Sequence, residues 1–340
     1  GFLPGGLGVC VVGASMIFGG ISGSAIADSA AIGSVMIPNM AKQGYTRAFA
    51  AGLVASAGTI GIIIPPSIPM LVYGFVGNVS VAELFLAGFI PGAVFGLALM
   101  LVCYWVGRST GCDPGGKGAS AGEIWRSFIG CAPALFLPVI ILGGIFSGYV
   151  TPTEAAALAV VYGLIVTIVV YRDFHIRDLP KLLVDSFITS AVVMVVIGAT
   201  TVLAWLITLE QMPTLLVSFV QNMSDSPFMF LLLVNIVLLI LGLVLDPVPA
   251  ILLTAPLFIP TATAFGVDPV HLGVVMTCNL ALGLFTPPVG ATLYVASNIS
   301  GVGVLTIARA MAPLYLVSLI TLMLVTYIPT ISMSMVWLFR

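Results

Sequence analysis

Long apolar stretches follow one another along almost the whole chain, separated by short polar segments. Uninterrupted apolar runs of roughly 20 residues recur, and such a run is long enough to cross the hydrocarbon of a bilayer as a helix. The pattern leaves no stretch for a soluble domain. We therefore predict an all-α polytopic membrane protein.

Two apolar stretches have arms too short to span comfortably and are predicted to be re-entrant hairpins. Each is followed by an apolar helix that a Pro-Pro pair interrupts. The predicted first half (1–106) and second half (209–340) each hold a hairpin, a broken helix and a span. The predicted segments are the hairpin 7–41, broken helix 47–77, span 84–106, cytoplasmic loop 107–130, scaffold-type spans and linking helix 131–208, hairpin 228–264, broken helix 269–298 and final span 311–335.

The two halves repeat one another in their glycines and prolines. A shift of 222 positions carries Pro38 onto Pro260, and it also superposes Gly44 on Gly266, Gly61 on Gly283, Pro65-Pro66 on Pro287-Pro288 and Pro91 on Pro313. Because glycine and proline determine backbone conformation, the repeat is one of shape. The alternative is that the prolines merely kink two ordinary helices.

The distribution of basic residues orients the chain. Nine of the ten Lys and Arg residues fall on the predicted cytoplasmic side, and Arg340 alone opposes them. The segment 209–227 carries only acidic charges and is predicted to be external. The two halves then run in opposite directions, which is an inverted-repeat arrangement found in secondary transporters with broken helices.

Composition excludes several other classes of protein. The chain is 60% hydrophobic and 6% charged, and its net charge of −2 argues against nucleic-acid binding. Its five cysteines have no CxxC spacing, and neither His175 nor His271 is expected inside a span. No enzyme motif is present, so we predict a protein that is not an enzyme. The chain starts at Gly1 without Met, which suggests an internal fragment whose N-terminal part is missing.

The double prolines suggest cation sites, because proline lacks the N–H that would pair with a helical carbonyl. They are expected to free the carbonyls of Gly61, Ile62, Gly283 and Leu284. An unpaired carbonyl at membrane depth is costly unless something replaces the lost partner. The hairpin turns 22–24 and 245–247 should add further oxygens at helix ends. Oxygen ligands favour Na⁺ over a transition metal, so two Na⁺ sites are expected.

The helices that restart after each break, at Ser67 and near Val289, present free N–H groups that favour an anion. We therefore expect a carboxylate solute between hairpin tips and breaks. Its predicted polar lining is Ser24, Ser67, Thr286 and Thr292, although each could instead bond its own helix. The two deep carboxylates, Asp28 and Asp246, could support ions, cap helices or carry protons.

Several motifs together resemble the large membrane subunit of tripartite ATP-independent periplasmic (TRAP) transporters. They are GGISGSAIADSAAIGSVMIPNMAKQGY (19–45), GTIGIIIPPSIPMLVYG (58–74), GYVTPTEAAALAVVYG (148–163), LDPVPAILLTAPLFIP (245–260) and LGLFTPPVGATLYV (282–295). These motifs extend over nearly the whole chain. The family's large subunit has additional helices before the first hairpin.

The resemblance implies a sodium-driven, elevator-type importer of the ion-transporter superfamily in the bacterial inner membrane. It implies two protein partners, a small four-helix membrane subunit and a periplasmic solute-binding protein that delivers an organic acid. It also implies two sets of sodium ligands: Ser22, Ser24, Gly61, Ile64 and Pro66 in one half, and Asp246, Gly283 and Thr286 in the other. A Na⁺/anion symporter that needs no binding protein and a passive channel are the alternatives.

Overall fold

The computed structural model describes residues 4–113, 120–223 and 226–339. These residues form helices and turns without a strand, which confirms the predicted all-α class. The chain divides into two compact units, Gly1–Gly118 with Ile207–Arg340 and Ala119–Leu206.

The first half of the larger unit contains two helices joined by a tight turn, an interrupted helix and one long helix. Their bounds are α1 Gly6–Ser22, α2 Ala25–Lys42, α3 Arg47–Gly58 continued by a 3-10 turn Thr59–Ile62, α4 Ile68–Gly77 and α5 Val81–Thr110. The turn between α1 and α2 needs Gly23, whose φ is +60°. Ser24 then caps α2 by accepting the Ala27 N–H.

The smaller unit consists of three long helices. They are α6 Ala121–Phe146, α7 Pro152–Ile165 continued by a π turn Val166–Tyr171, and α8 Leu179–Leu209, which runs across the unit boundary after a 3-10 turn Ile176–Asp178. Ser120 with Glu123 and Thr151 with Glu154 form capping boxes at the starts of α6 and α7. These reciprocal bonds satisfy helix-start N–H groups and explain where both helices begin.

The second half of the larger unit also contains a hairpin followed by an interrupted helix, and it has further short helices around them. The bounds are α9 Met212–Met223, α10 Pro227–Gly242, α11 Pro247–Ala264, α12 Pro269–Gly283, α13 Ala291–Ser300, α14 Val304–Ala310, α15 Ala312–Tyr327 and α16 Pro329–Phe339. Proline occupies the first turn of α10, α11 and α12, where its missing N–H costs no helical bond.

The two interrupted helices are at the centre of the larger unit. All residues of α12 from Val270 to Gly283 are buried, as are those of α3 from Phe49 to Gly58. The helix after each break packs against the other half: α4 contacts α11 and α12, and α13 contacts α2 and α3. Each half therefore completes the packing of the other.

Within the described residues, five helices are long and apolar enough to cross a membrane, or up to eight spans if each of three bent helix pairs counts as one. The chain is therefore a multi-pass membrane protein.

A carboxylate from the loop after α5 caps the start of α1: Asp113 Oδ2 accepts the Leu7 N–H at 2.6 Å. It supplies the capping that Gly5 cannot.

The structure corrects several segment boundaries. The predicted loop 107–130 is largely helical at both ends, since α5 runs to Thr110 and α6 starts at Ala121; residues 114–119 within it lie outside the described part. The predicted external segment 209–227 contains α9, and its Asp225 is also outside the described part. The helix after the second break starts at Ala291, two residues later than expected.

The predicted final span 311–335 is two helices, α15 and α16, bent by 53°. The bend is at Ile328, which has φ −118° and ψ 83° and precedes Pro329. A residue before proline is driven out of the helical region by contact with the proline ring. The Thr326 carbonyl at this bend is taken up by the Nε2 of His271 at 3.1 Å.

Candidate functional site

At the first break, a side-chain hydroxyl donates a hydrogen bond to one of the carbonyls that lose their helical partner to proline. Ser67 Oγ donates to the Ile62 carbonyl at 2.5 Å, while also capping α4 by accepting the Met70 N–H. The Pro65-Pro66 peptide bond between them is cis. The expectation that the Ile62 carbonyl is free for a cation is therefore wrong in this conformation.

The second break repeats this device with a different residue. The Leu284 carbonyl accepts the Thr292 hydroxyl at 2.9 Å and the Thr292 N–H at 3.1 Å, and Pro287-Pro288 is again cis. Gly290, with φ +42°, turns the chain back so that Thr292 reaches this carbonyl. The prediction of a free Leu284 carbonyl is wrong for the same reason, and the Gly283 carbonyl likewise accepts the Thr286 N–H at 3.1 Å.

Ser67 and Thr292 are both fully buried, and both were predicted to line the solute. Their role as solute ligands stays a prediction, because the structure commits each hydroxyl hydrogen to a carbonyl of its own break. Thr286 Oγ1 is similarly committed, donating to the Leu282 carbonyl at 2.6 Å. The solute would have to meet their lone pairs or displace these bonds.

We expect Ser67→Ala to lower the free energy of unfolding by about 1–3 kcal/mol, because it removes the hydroxyl partner of the buried Ile62 carbonyl. Thr292→Ala should cost less, about 0.5–1.5 kcal/mol, because the Leu284 carbonyl loses one hydrogen bond and keeps the Thr292 N–H. Ser34→Ala is the matched control, since Ser34 is exposed and bonds only the Ala31 carbonyl of its own helix. The measurement is the unfolding midpoint in detergent. Equal midpoints for the three variants would contradict the assigned role.

The first hairpin tip meets the first break directly. A Cβ on Gly23 would lie 2.8 Å from the Pro66 carbonyl oxygen, and one on Gly61 would overlap Asp28 Oδ2. Ser22 Oγ donates to Asp28 Oδ1 and contacts the backbone of Ser24. The hairpin tip, the break and the carboxylate thus lie together, and four of the ligands that the resemblance implies, Ser22, Ser24, Gly61 and Pro66, are in this region. Sodium binding by them stays a prediction. Ile64, by contrast, packs its side chain against Gly92 of α5.

Asp28 is the most unusual group in this region. The residue is fully buried, and its Oδ2 has no hydrogen-bond partner. A buried carboxylate oxygen without a partner is costly. Asp28 does not cap α2, since Ser24 does; its other oxygen braces the hairpin tip through Ser22. The unpartnered Oδ2 lies beside Gly61 and is a candidate ligand for a small cation.

The second half brings hairpin and break together at a glycine pair. A Cβ on Gly283 would be 2.6 Å from the Gly242 carbonyl oxygen. Asp246 is exposed at the start of α11 and makes no capping hydrogen bond. The predicted placement of Asp246 deep in the membrane stays a prediction. The described residues hold no group of three or more His, Cys, Asp or Glu able to bind a metal.

Sequence reasoning missed three features. The first is a pair of close backbone contacts between glycines, which we call the glycine crossings: Gly19 against Gly61, and Gly242 against Gly283. The second is a buried amide pair in which Asn279 Nδ2 donates to Asn235 Oδ1 at 2.7 Å. The glycine pairs could have been suspected, because 42 residues separate the first pair and 41 the second.

The third is His271, which was predicted to be a loop residue; the structure places it in α12, only 2% exposed. Its ring bonds Ser332 Oγ at 2.7 Å and the Thr326 carbonyl. The bend at Ile328 turns α16 over the start of α12 and so covers the histidine. His175, the other histidine expected outside a span, lies between helices, directly before the 3-10 turn Ile176–Asp178.

An all-helical membrane protein with two interrupted helices at its centre has the architecture of a secondary transporter. A model of the family described as tripartite ATP-independent periplasmic transporter, DctM component, matches residues 1–331. The chain is 44% identical over 335 residues to the C4-dicarboxylate TRAP transporter large permease protein DctM of Pseudomonas aeruginosa, covering 98% of this chain and 78% of that protein.

Two further relatives agree. The sialic acid TRAP transporter large permease protein SiaM of Vibrio cholerae is 39% identical over 339 residues, 100% of this chain and 79% of that protein. The 2,3-diketo-L-gulonate TRAP transporter large permease protein YiaN of Escherichia coli is 39% identical over 329 residues, 97% and 77% of the two chains. This chain belongs to the family of TRAP transporter large permease subunits, which are transport proteins and not enzymes.

Proposed function

We propose that this chain imports an organic acid across the bacterial inner membrane, driven by a sodium gradient, and that it does so by elevator-type alternating access. The observation that carries the sodium part is Asp28 Oδ2, a buried carboxylate oxygen without a partner where the hairpin tip meets the first break. A cation in contact with this oxygen would neutralise it, and the gradient of that cation could then drive transport.

The first proposed sodium site uses Ser22, Ser24, Gly61, Ile64 and Pro66, with Asp28 added as the charged group that attracts the ion. Backbone and hydroxyl oxygens suit a hard monovalent cation. The second proposed site uses Asp246, Gly283 and Thr286. Its fit is weaker, because the Gly283 carbonyl accepts an N–H and Asp246 is exposed. Rearrangement around Asp246 during the transport cycle would be needed to complete it.

The solute is proposed to be a carboxylate, held near Ser24, Ser67, Thr286 and Thr292. The names of three relatives contain acids of this class: C4-dicarboxylate, sialic acid and 2,3-diketo-L-gulonate. The proposed partners are a small membrane subunit and a periplasmic solute-binding protein. One relative, the isethionate permease protein DctMQ of Oleidesulfovibrio alaskensis, is longer; this chain covers 52% of it.

The test is uptake of candidate acids into liposomes that contain the complete transporter. We expect accumulation only with an inward Na⁺ gradient and with the solute-binding protein outside. Accumulation without the binding protein would favour the alternative, a Na⁺/anion symporter that acts alone. Accumulation driven equally well by a K⁺ gradient would contradict sodium coupling.

A further inference from the structure

A cavity away from the hairpin tips lies where α10 and α12 begin and where α15 bends into α16. Its volume is about 350 Å³, and its wall includes Phe228, Asp268, His271, Tyr327, Met333 and Trp337. A space of this size accommodates a small ligand of several heavy atoms.

Most polar atoms in the wall already have partners. Both ring nitrogens of His271 are bonded, one to Ser332 Oγ and one to the Thr326 carbonyl. The Thr326 hydroxyl is bonded to Asn235. The histidine and the threonine therefore offer a ligand few free donors or acceptors.

Among the residues that the structure describes, the formal charge of the wall comes from one side chain. Asp268 alone of these lining residues is acidic, and none of them is a lysine or an arginine. Its Oδ1 accepts the Val270 N–H at 2.8 Å, which caps α12. The remaining capacity of this carboxylate favours a positively charged ligand.

Aromatic rings form much of the remaining wall. Phe228 and Tyr327 are stacked with their ring centroids 5.2 Å apart, and Trp337 is 54% exposed beside them. Aromatic faces attract ammonium groups through the ring quadrupole, and apolar neighbours such as Met333 suit a short hydrocarbon chain. Carboxylate and aromatic rings together select for an amine over an acid or a sugar.

We propose that this cavity binds an organic ammonium group on an apolar chain, with Asp268 as its counter-charge and Phe228, Tyr327 and Trp337 as its aromatic wall. The site is separate from the solute and sodium sites proposed above. Two sources share this chemistry: a soluble alkylamine, or the amine headgroup of a membrane lipid.

The experiment titrates n-butylammonium into the full chain in nanodiscs of phosphatidylglycerol, a lipid without an amine. We expect saturable binding, weakened at least about tenfold by Asp268→Asn, because a charge-assisted contact is lost. Asparagine keeps the size of the side chain and its capping ability, so the start of α12 should survive. Trp337→Leu should also weaken binding, and Asp185→Asn, an exposed site on α8, should leave it unchanged.

A second set of nanodiscs containing phosphatidylethanolamine distinguishes the sources. If the lipid headgroup occupies the cavity, the apparent dissociation constant of n-butylammonium rises in these nanodiscs, and this rise disappears in Asp268→Asn. If a soluble amine is the ligand, the two lipids give the same constant. Absence of saturable binding to the folded chain, or equal binding by wild type and Asp268→Asn with unchanged unfolding midpoints, overturns the proposal.

Discussion

Asp28→Asn is expected to remove most of the stabilisation that sodium gives this protein, while preserving or raising its stability in sodium-free buffer. The two effects have one cause. Asp28 Oδ2 is buried without a partner, so the ionised side chain destabilises the fold until a cation meets it. Asparagine has nearly the same shape without the charge, and it retains an oxygen that can accept from Ser22.

The measurement is the unfolding midpoint of the purified chain as NaCl replaces KCl at constant ionic strength. A ligand at 100 times its dissociation constant adds about 2.7 kcal/mol to the folded state, a shift that is readily resolved. Asp185→Asn should behave like the wild type. A sodium-dependent shift of equal size in Asp28→Asn would show that the ion does not depend on this carboxylate. A wild-type midpoint that does not change as NaCl replaces KCl would contradict a sodium-selective site at Asp28.

The backbone plan of the larger unit could be predicted because glycine and proline specify it locally. Pro65-Pro66 and Pro287-Pro288 mark the two breaks that the structure shows, and Gly23 occupies the hairpin turn. Such residues restrict φ or free it regardless of what surrounds them. The positions of breaks and turns can therefore be predicted from a single sequence.

The partners of the freed carbonyls could not be predicted, since they depend on how the chain returns after each break. By the repeat, Ser67 corresponds to Val289, yet Thr292 takes the equivalent role because Gly290 turns the chain back. A constant shift of 222 positions aligns Ser67 with Val289 and therefore does not identify Thr292, three positions further on, as the equivalent residue. The burial of His271 was missed for a related reason, since it depends on a helix that follows 58 residues later at Pro329.

The glycine crossings could be predicted only in part. The sequence shows the glycines themselves, but it does not show which glycines contact each other. A glycine inside a helix costs up to about 1 kcal/mol relative to alanine, and Gly242 and Gly283 are the last residues of α10 and α12. The structure explains why glycine is present: α10 and α12 approach so closely that a Cβ on Gly283 would be 2.6 Å from the carbonyl oxygen and 2.7 Å from the Cα of Gly242. Backbone atoms cannot rotate away as a side chain can.

Gly283→Ala is therefore expected to destabilise the protein by about 1–3 kcal/mol or more, since the second hairpin must separate from the broken helix to admit the methyl group. Gly13→Ala in α1 is the control with the opposite sign: its Cβ would meet only Met100 Cε at 3.7 Å, so helix propensity should raise stability. Unfolding midpoints of both variants provide the check. A neutral or stabilising Gly283→Ala would show that the crossing is looser than described.

Gly61→Ala separates packing from ion binding. Its Cβ would overlap Asp28 Oδ2, a side-chain atom, and would approach the Gly19 Cα at 3.0 Å. Because the carboxylate can swing aside, this variant should lose its sodium-dependent shift while keeping more of its stability than Gly283→Ala does. The reverse order, with Gly61→Ala the less stable variant and its sodium response intact, would place the cation away from the first break.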